Sequence, residues 1–311
     1  GRAAQAMGHK AEARAYYETA AQYSVTYYGQ LARGRLGLSD LGLLDKPHIP
    51  PDQSAALLNL EIVRAVDILY DLNERELIAP IFAELGESGT DVAGMAELCE
   101  TARRHNDGRS MLLLAKAAHN RGLPLDYYAY PTIGLPDYKS IAPPVEAAIT
   151  YSIARQESHF NQKVVSPAHA MGLMQVTPGA ALDTSRKFKA AYDKGRLLSD
   201  PVYNMQMGAA ELSNLLSGYR GSYLLTFAGY NAGRGRVRQW IAAFGDPRDP
   251  NVDPVDWVER IPISETRNYV QRIIENLEVY RARFGGSSKL MIDADIRRDL
   301  EAGTHKTASA Q

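Results

Sequence analysis

The chain has 311 residues, 45% of them hydrophobic, enough for sizeable cores in roughly two domains. Its formal net charge of −1 excludes a global electrostatic pull toward nucleic acid or an anionic membrane, so any polymer partner must be bound by shape and local contacts. A single cysteine, Cys99, excludes an internal disulfide and a cysteine-cluster metal site, and no run approaches the ~18 uninterrupted apolar residues of a membrane span.

The first residue is Gly and no signal peptide is visible, as expected of a mature or truncated chain. From Ala3 to Tyr23 the tyrosines and alanines of AEARAYYETAAQY fall at helical spacing, and YYGQLARGRLG predicts a second helix ending at Gly37. Pro47, Pro50 and Pro51 then interrupt the helices before Asp52 or Ser54 caps the next one, whose apolar face is Leu58, Ile62, Ala65 and Leu69. Three further stripes follow: Leu77, Ile78, Ile81 and Leu85; then Val92, Met95, Ala96 and Cys99; then Met111, Leu114, Ala115 and Ala118. No sustained alternation of apolar and polar residues occurs, so the class is all-α with at most a short hairpin in the second half.

A Pro- and Tyr-rich stretch from Arg121 to Tyr138 sets a domain boundary near residue 140. Beyond it, Ala147, Ala148, Tyr151, Ile153 and Ala154 form an apolar helix face that ends near Arg155, Gln156 and Glu157. Residues 161–170, with Ser166-Pro167, read as a loop doubling back over that helix end, and Gly172 allows two backbones to approach closely. Thr177-Pro178 starts the next helix as cap and first helical residue, and Asp200-Pro201 and Ser264-Glu265 start others. Val270, Ile273, Ile274 and Leu277 mark the last long helix as packed. Gly285 and Gly286 end it, and the last residues read as a surface or disordered tail.

The segments ARQESHF and GLMQVTPGAA, followed by FAGYNAG at 227–233 and ERIPISETRNYV at 259–270, resemble the soluble lytic murein transglycosylase family. Three separated motifs in the right order over more than a hundred residues make this a specific likeness. It implies a lysozyme-like helical catalytic domain at 141–285, a helical linker domain at 51–140, the end of a tetratricopeptide-like superhelical domain at 1–50, and a tail at 286–311. It also implies the activity: non-hydrolytic cleavage of the β-1,4 bond between N-acetylmuramic acid and N-acetylglucosamine, leaving 1,6-anhydromuramoyl ends. Peptidoglycan glycan strands are then the partner, the periplasm is the compartment, no metal or organic cofactor is needed, and no protein partner is named. A hydrolytic goose-type muramidase and a non-catalytic wall-binding scaffold are the competing readings.

Glycosidic cleavage needs an acid on the leaving oxygen, and most glycosidases pair it with a second carboxylate. This motif offers only Glu157, and the resemblance implies that it serves twice, first as acid and then as base toward the muramic acid C6 hydroxyl. At an ordinary pKa of about 4.3 only roughly 0.2% of the acid would be protonated at pH 7. A value of about 6.5, roughly 3 kcal/mol of bias, needs apolar burial, which Ile153, Phe160, Leu173 and Met174 are near enough in sequence to supply. Without the other motifs, Glu157 reads as a helix-terminal carboxylate paired with Arg155 at the surface.

By the same resemblance Ser166 and Gln175 contact the sugar or its N-acetyl group, Tyr230 stands beside the acid, and Glu265 lines the groove with Arg267 bracing it. A buried structural tyrosine is the lesser alternative for Tyr230, whereas Glu265 is equally accounted for by the helix dipole. Gly233-Arg234-Gly235-Arg236 with Arg238 lacks an aromatic platform for nucleic acid and reads as a solvated basic face. His159 and His169 lack metal-ligand spacing. His169 takes a position that is commonly Gly in the family, so a positive φ there would strain the loop.

Overall fold

A computed structural model describes residues 1–285 and 289–299. Among them are seventeen helices and no strand beyond isolated bridges. The chain divides into two compact units: residues 1–41 with 137–156 and 162 onward, and residues 42–136 with 157–161. The first holds α1 (Arg2–Ala6), α2 (Lys10–Ala20), α3 (Tyr27–Arg35), α9 (Ala147–Glu157, except its last residue) and α10 (Pro178–Phe188). It continues with α11 (Arg196–Ser199), α12 (Pro201–Gly218), α13 (Tyr223–Ala232), α14 (Arg234–Phe244), α15 (Pro254–Glu259), α16 (Ser264–Arg283) and α17 (Ile292–Asp295). The second holds α4 (Pro51–Leu58), α5 (Glu61–Asp71), α6 (Arg75–Ser88), α7 (Val92–Arg104) and α8 (Gly108–Asn120).

In the second unit, α7 and α8 bury the stripes expected of them, from Met95 to Cys99 and from Met111 to Ala118. The neighbouring helices depart from expectation in two ways. The helix expected to run on through Leu58 is two: α4 begins at Pro51, ahead of Asp52 and Ser54, and stops at Leu58, and α5 starts at Glu61. The buried face of α5 is Val63, Val66 and Tyr70, one residue on from the expected Ile62, Ala65 and Leu69, with Ala65 exposed. Tyr70 decides this rotation, because its ring stacks on His105 with centroids 4.1 Å apart and its hydroxyl donates to Asp107 at 3.0 Å. The same slip occurs on α6, where Ile78 and Phe82 are fully buried and Leu77 is exposed.

In the first unit α16 is the central helix, and Val270, Ile273, Ile274 and Leu277 are fully buried. α13 packs on it and is apolar nearly all round, as a helix enclosed by others must be. α3 packs there too: Tyr27 N–H donates to Glu275 Oε2 at 2.7 Å, and Gln30 Nε2 to the Glu275 carbonyl at 3.0 Å. Residues 286–288 and 300–311 of the expected tail lie outside the described residues. Residues 289–299 do not trail: Leu290 N–H donates to Ser39 O at 2.8 Å, and α17 packs against α3 and α16.

That docking brings Asp295 beside Glu278, whose Oε2 accepts from Met291 N–H at 2.9 Å. Burial first and then the Asp295 carboxyl push Glu278 up to about 8. An acid raised on folding keeps its proton in the native chain after the unfolded chain has lost it. Its contribution is therefore complete below about pH 4.5 and is lost as pH rises toward 8. The expected slope is at most about 1.4 kcal/mol per pH unit. Urea unfolding at pH 5 and pH 8 is expected to show Glu278→Gln flattening this fall, with the variant gaining on the parent at pH 8. An unchanged slope would remove Glu278 as its source.

Candidate active site

Helix α9 buries Ala148, Ile149, Ile153 and Ala154. Tyr151 rests edge-on against Phe284, centroids 5.0 Å apart, and Arg155 is buried and donates to Asn276 Oδ1 on α16 at 2.9 Å. Arg155 thus serves as an internal clamp, buried where the surface-pair reading needed it exposed. Glu157 is the last residue of the helix and is half-buried, only partly withdrawn from water where full desolvation was expected. The chain then reverses through His159 and Phe160 at φ of +49° and +59°, two consecutive left-handed residues that stop the helix. Residues 157–161 group with the second unit. There Lys116 Nζ of α8 lies 3.1 Å from His159 Nε2, and the Phe160 ring is buried.

The loop after this turn is tightly bonded to itself. Ser166 exchanges backbone hydrogen bonds with its own turn, its N–H donating to Ala170 O and its carbonyl accepting from His169 N–H, both at 2.9 Å. Ser166 Oγ accepts from Ala170 N–H at 3.1 Å. His169 has φ +59°, so the position does require the left-handed region, and its side chain is exposed. His169→Gly is expected to raise stability by about 0.5 kcal/mol, the backbone strain relieved less the added freedom of the unfolded chain. A thermal melt no higher than the parent's would contradict this.

Two isolated bridges, Val165 to Met171 and Met171 to Val176, close the rest of the loop. Gly172 has φ +71° and allows the close approach expected of it: a Cβ would stand 2.8 Å from the Leu197 carbonyl oxygen and 2.6 Å from Asn204 Nδ2. Gln175, also left-handed at φ +48°, turns its Nε2 inward to the carbonyls of Gly172 at 3.0 Å and Val164 at 3.2 Å. Thr177 caps α10 through Ala180 N–H at 3.2 Å, and Asp200 caps α12 through Tyr203 N–H at 3.0 Å.

Three motifs meet around Met174. Tyr230, half-buried near the end of α13, donates its hydroxyl to the Met174 carbonyl at 2.7 Å. Its neighbour Asn231 accepts from Thr266 Oγ1 at 2.6 Å, which ties the end of α13 to the first turn of α16. Glu265, beside Thr266, is exposed in that turn, and Arg267 braces the segment before it by donating to Ile261 O at 3.2 Å. Tyr230 and Gln175 are therefore held in one loop assembly with Ser166. Glu265 joins it only through its neighbour.

One residue of this assembly, Asn204, was not singled out in the sequence, nor was a carboxylate further along its helix, Glu211. Asn204, 1% exposed, spends its whole carboxamide on backbone: Oδ1 accepts from Met174 N–H at 2.9 Å, and Nδ2 donates to Met171 O and Leu197 O, both at 2.7 Å. The available signal was an Asn standing in an otherwise apolar helix face, which implies a satisfied buried polar group. Glu211 on the same helix accepts from Thr184 at 3.0 Å and Asn214 at 3.3 Å, with Arg234 at 3.8 Å, and burial pushes its carboxyl up. Arg234 is thus drawn inward, while Arg236 and Arg238 are exposed as expected of a solvated basic face.

Comparison with known proteins matches residues 136–252 to the family described as "Transglycosylase SLT domain". The soluble lytic murein transglycosylase of Salmonella typhimurium is 36% identical over 155 residues, 50% of this chain and 23% of that protein. The crystal structure of the 70 kDa soluble lytic transglycosylase of Escherichia coli superposes with a TM-score of 0.71 at 28% identity, covering 92% of this chain and 45% of that one. That of an inactive glutamate-to-glutamine mutant of the lytic transglycosylase from Pseudomonas aeruginosa has a TM-score of 0.56 at 26% identity, covering 89% and 44%. The chain therefore spans about a quarter of the length of the matched relative and under half of the solved chains. The all-α fold, the ordered motifs and these likenesses agree: residues 136–252 are similar to the Transglycosylase SLT domain family, and the fold is similar to that of the soluble lytic transglycosylases.

Proposed function

We propose that this chain is a lytic transglycosylase of peptidoglycan, acting on the β-1,4 bond between N-acetylmuramic acid and N-acetylglucosamine, with its catalytic domain at 141–285. The observation that carries this reading is the convergence of the motifs: the Tyr230 hydroxyl on the Met174 carbonyl and Thr266 on Asn231 bind GLMQ, YNAG and ISETRNY into one assembly. Glu157, ending α9, is the catalytic acid. Its carboxyl gives a proton to the glycosidic oxygen as the bond to C1 breaks; the muramic acid O6 then bonds to C1 and returns its proton to Glu157. Atoms balance without water, and the enzyme ends as it began. Ser166, through its hydroxyl hydrogen, and Gln175, through the oxygen end of its amide, are left to meet the sugar's acetamido group. Tyr230 and Glu265 complete the contacts with the glycan.

On the sequence resemblance, residues 1–50 and 51–140 are assigned as the end of a superhelical domain and a linker domain; the periplasm of a Gram-negative bacterium is assigned as the compartment because the relatives are named for murein. Mass spectrometry of purified peptidoglycan after digestion tests the reaction. The expected products carry 1,6-anhydro ends, one water lighter than reducing ends. Reducing ends alone would make the chain a hydrolytic muramidase, and binding without release would make it a scaffold.

A further inference from the structure

We infer that Asn204, on helix α12 and outside every motif that led to the proposed reaction, is a positioning residue for that reaction: it sets the Met171–Gln175 segment against the Tyr230 hydroxyl. The inference rests on the transglycosylase reading given above.

The segment carries a few backbone hydrogen bonds of its own, Met171 and Val176 exchanging two at 3.1 Å and Gly172 N–H donating to Val164 O at 2.9 Å. It is held by isolated bridges in place of a helix or a strand ladder, so its peptides point where side chains direct them. Asn204 meets it at both ends, at the Met171 carbonyl and the Met174 N–H, and anchors it to the Leu197 carbonyl at the end of the helix before α12. Tyr230 takes up the same residue from the other side, through the Met174 carbonyl. Met174 is therefore held between α12 and α13, its N–H by one helix and its C=O by the other.

The chemistry admits few substitutes. Two donors and one acceptor are used within 2.9 Å, so Asp lacks the donors and Leu lacks all three. The missing Cβ of Gly172 is what leaves room for the carboxamide, and Gly208, one turn along α12, lets Met174 lie directly on the helix: a Cβ there would be 2.5 Å from Met174 Cβ. Asn204 is 1% exposed and does not touch solvent or a substrate; it acts through Met174 and Tyr230. A displacement of about 1 Å at a catalytic constellation typically costs on the order of 100-fold in rate.

The test uses the full chain with purified peptidoglycan. kcat and KM for release of anhydro products are measured for the parent, Asn204→Asp, Asn204→Leu, Tyr230→Phe and the doubles of each Asn204 variant with Tyr230→Phe. Amide hydrogen exchange of residues 171–176 is followed in the same proteins. Asn204→Asp is expected to lose roughly 100-fold in kcat with KM changed less than about threefold, Asn204→Leu more. Each double is expected to be little worse than its poorer single, because both changes release the same peptide. Exchange at Met174 is expected to rise at least about tenfold while the interior of α12 stays protected. Losses that multiply, a change confined to KM, or unchanged exchange would overturn the assignment, and a variant that does not fold hands the decision to its partner. A parent that releases no anhydro product while exchange behaves as expected would sink the reaction and leave the positioning role of Asn204 standing.

Discussion

Glu157→Gln is expected to lower the release of anhydro products by roughly 1,000-fold or more, with binding to peptidoglycan retained. The substitution keeps the shape and hydrogen-bonding size of the side chain and removes only its ability to give and take a proton. Because one carboxyl is assigned to both halves of the reaction, no second acid is held in reserve, and both steps fail together. The position suits the role: the carboxyl stands at the last residue of α9, at the negative end of the helix dipole, which disfavours a negative charge there. The helix behind it is fixed by Arg155 on Asn276 and by Tyr151 on Phe284, so the change should leave the fold intact. Mass spectrometry of a digest, with circular dichroism to confirm folding, decides it. A variant as active as the parent would remove Glu157 from the chemistry, and Glu265→Gln would then be examined first, since Glu265 is the other carboxylate assigned to the glycan.

Gly172→Ala is expected to cost about 3 kcal/mol of stability, or a drop in Tm near 10 °C, the larger of the structural effects. Two penalties add. At φ +71° an added Cβ is strained by its own backbone by about 1 kcal/mol. It would also stand 2.8 Å from the Leu197 carbonyl and 2.6 Å from Asn204 Nδ2. The carbonyl belongs to a packed backbone and cannot swing aside, and displacing Asn204 would take the side-chain acceptor from Met174 N–H and a donor from the Met171 and Leu197 carbonyls. The loss should therefore spread from stability to activity, and urea unfolding beside kcat reads both. A variant within about 0.5 kcal/mol of the parent would mean that the loop relaxes freely.

Helix existence was legible along most of the chain, because period and start signals are local. Thr177-Pro178 and Asp200-Pro201 cap and open α10 and α12 through their own side chains, and the stripes of α7, α8 and α16 are buried where their spacing put them, except for the half-buried Val92. Helix rotation was less legible. On α5 and α6 two adjacent apolar stripes compete; on α5 the choice fell to Tyr70, whose partners His105 and Asp107 are distant in sequence, and on α6 Phe82 is the ring that is fully buried. The left-handed geometry at His169 could be suspected from the residue type normally found there; that of Phe160 and Gln175 could not, since neither prefers it.

What the sequence determined by itself is the all-α class, the family resemblance, the identity of the one carboxyl offered by the ESHF motif, and the glycine that a close approach demands, all carried by residue type and short spacing. The tertiary structure alone decided which groups hold those residues in place: Asn204 on both ends of the GLMQ segment, Tyr230 on Met174, Thr266 on Asn231, and α17 folded back on Glu278. Each of these contacts joins positions more than ten residues apart through one hydrogen bond or one packed face. No local period encodes such a pairing, and it exists only once burial has brought the helices together.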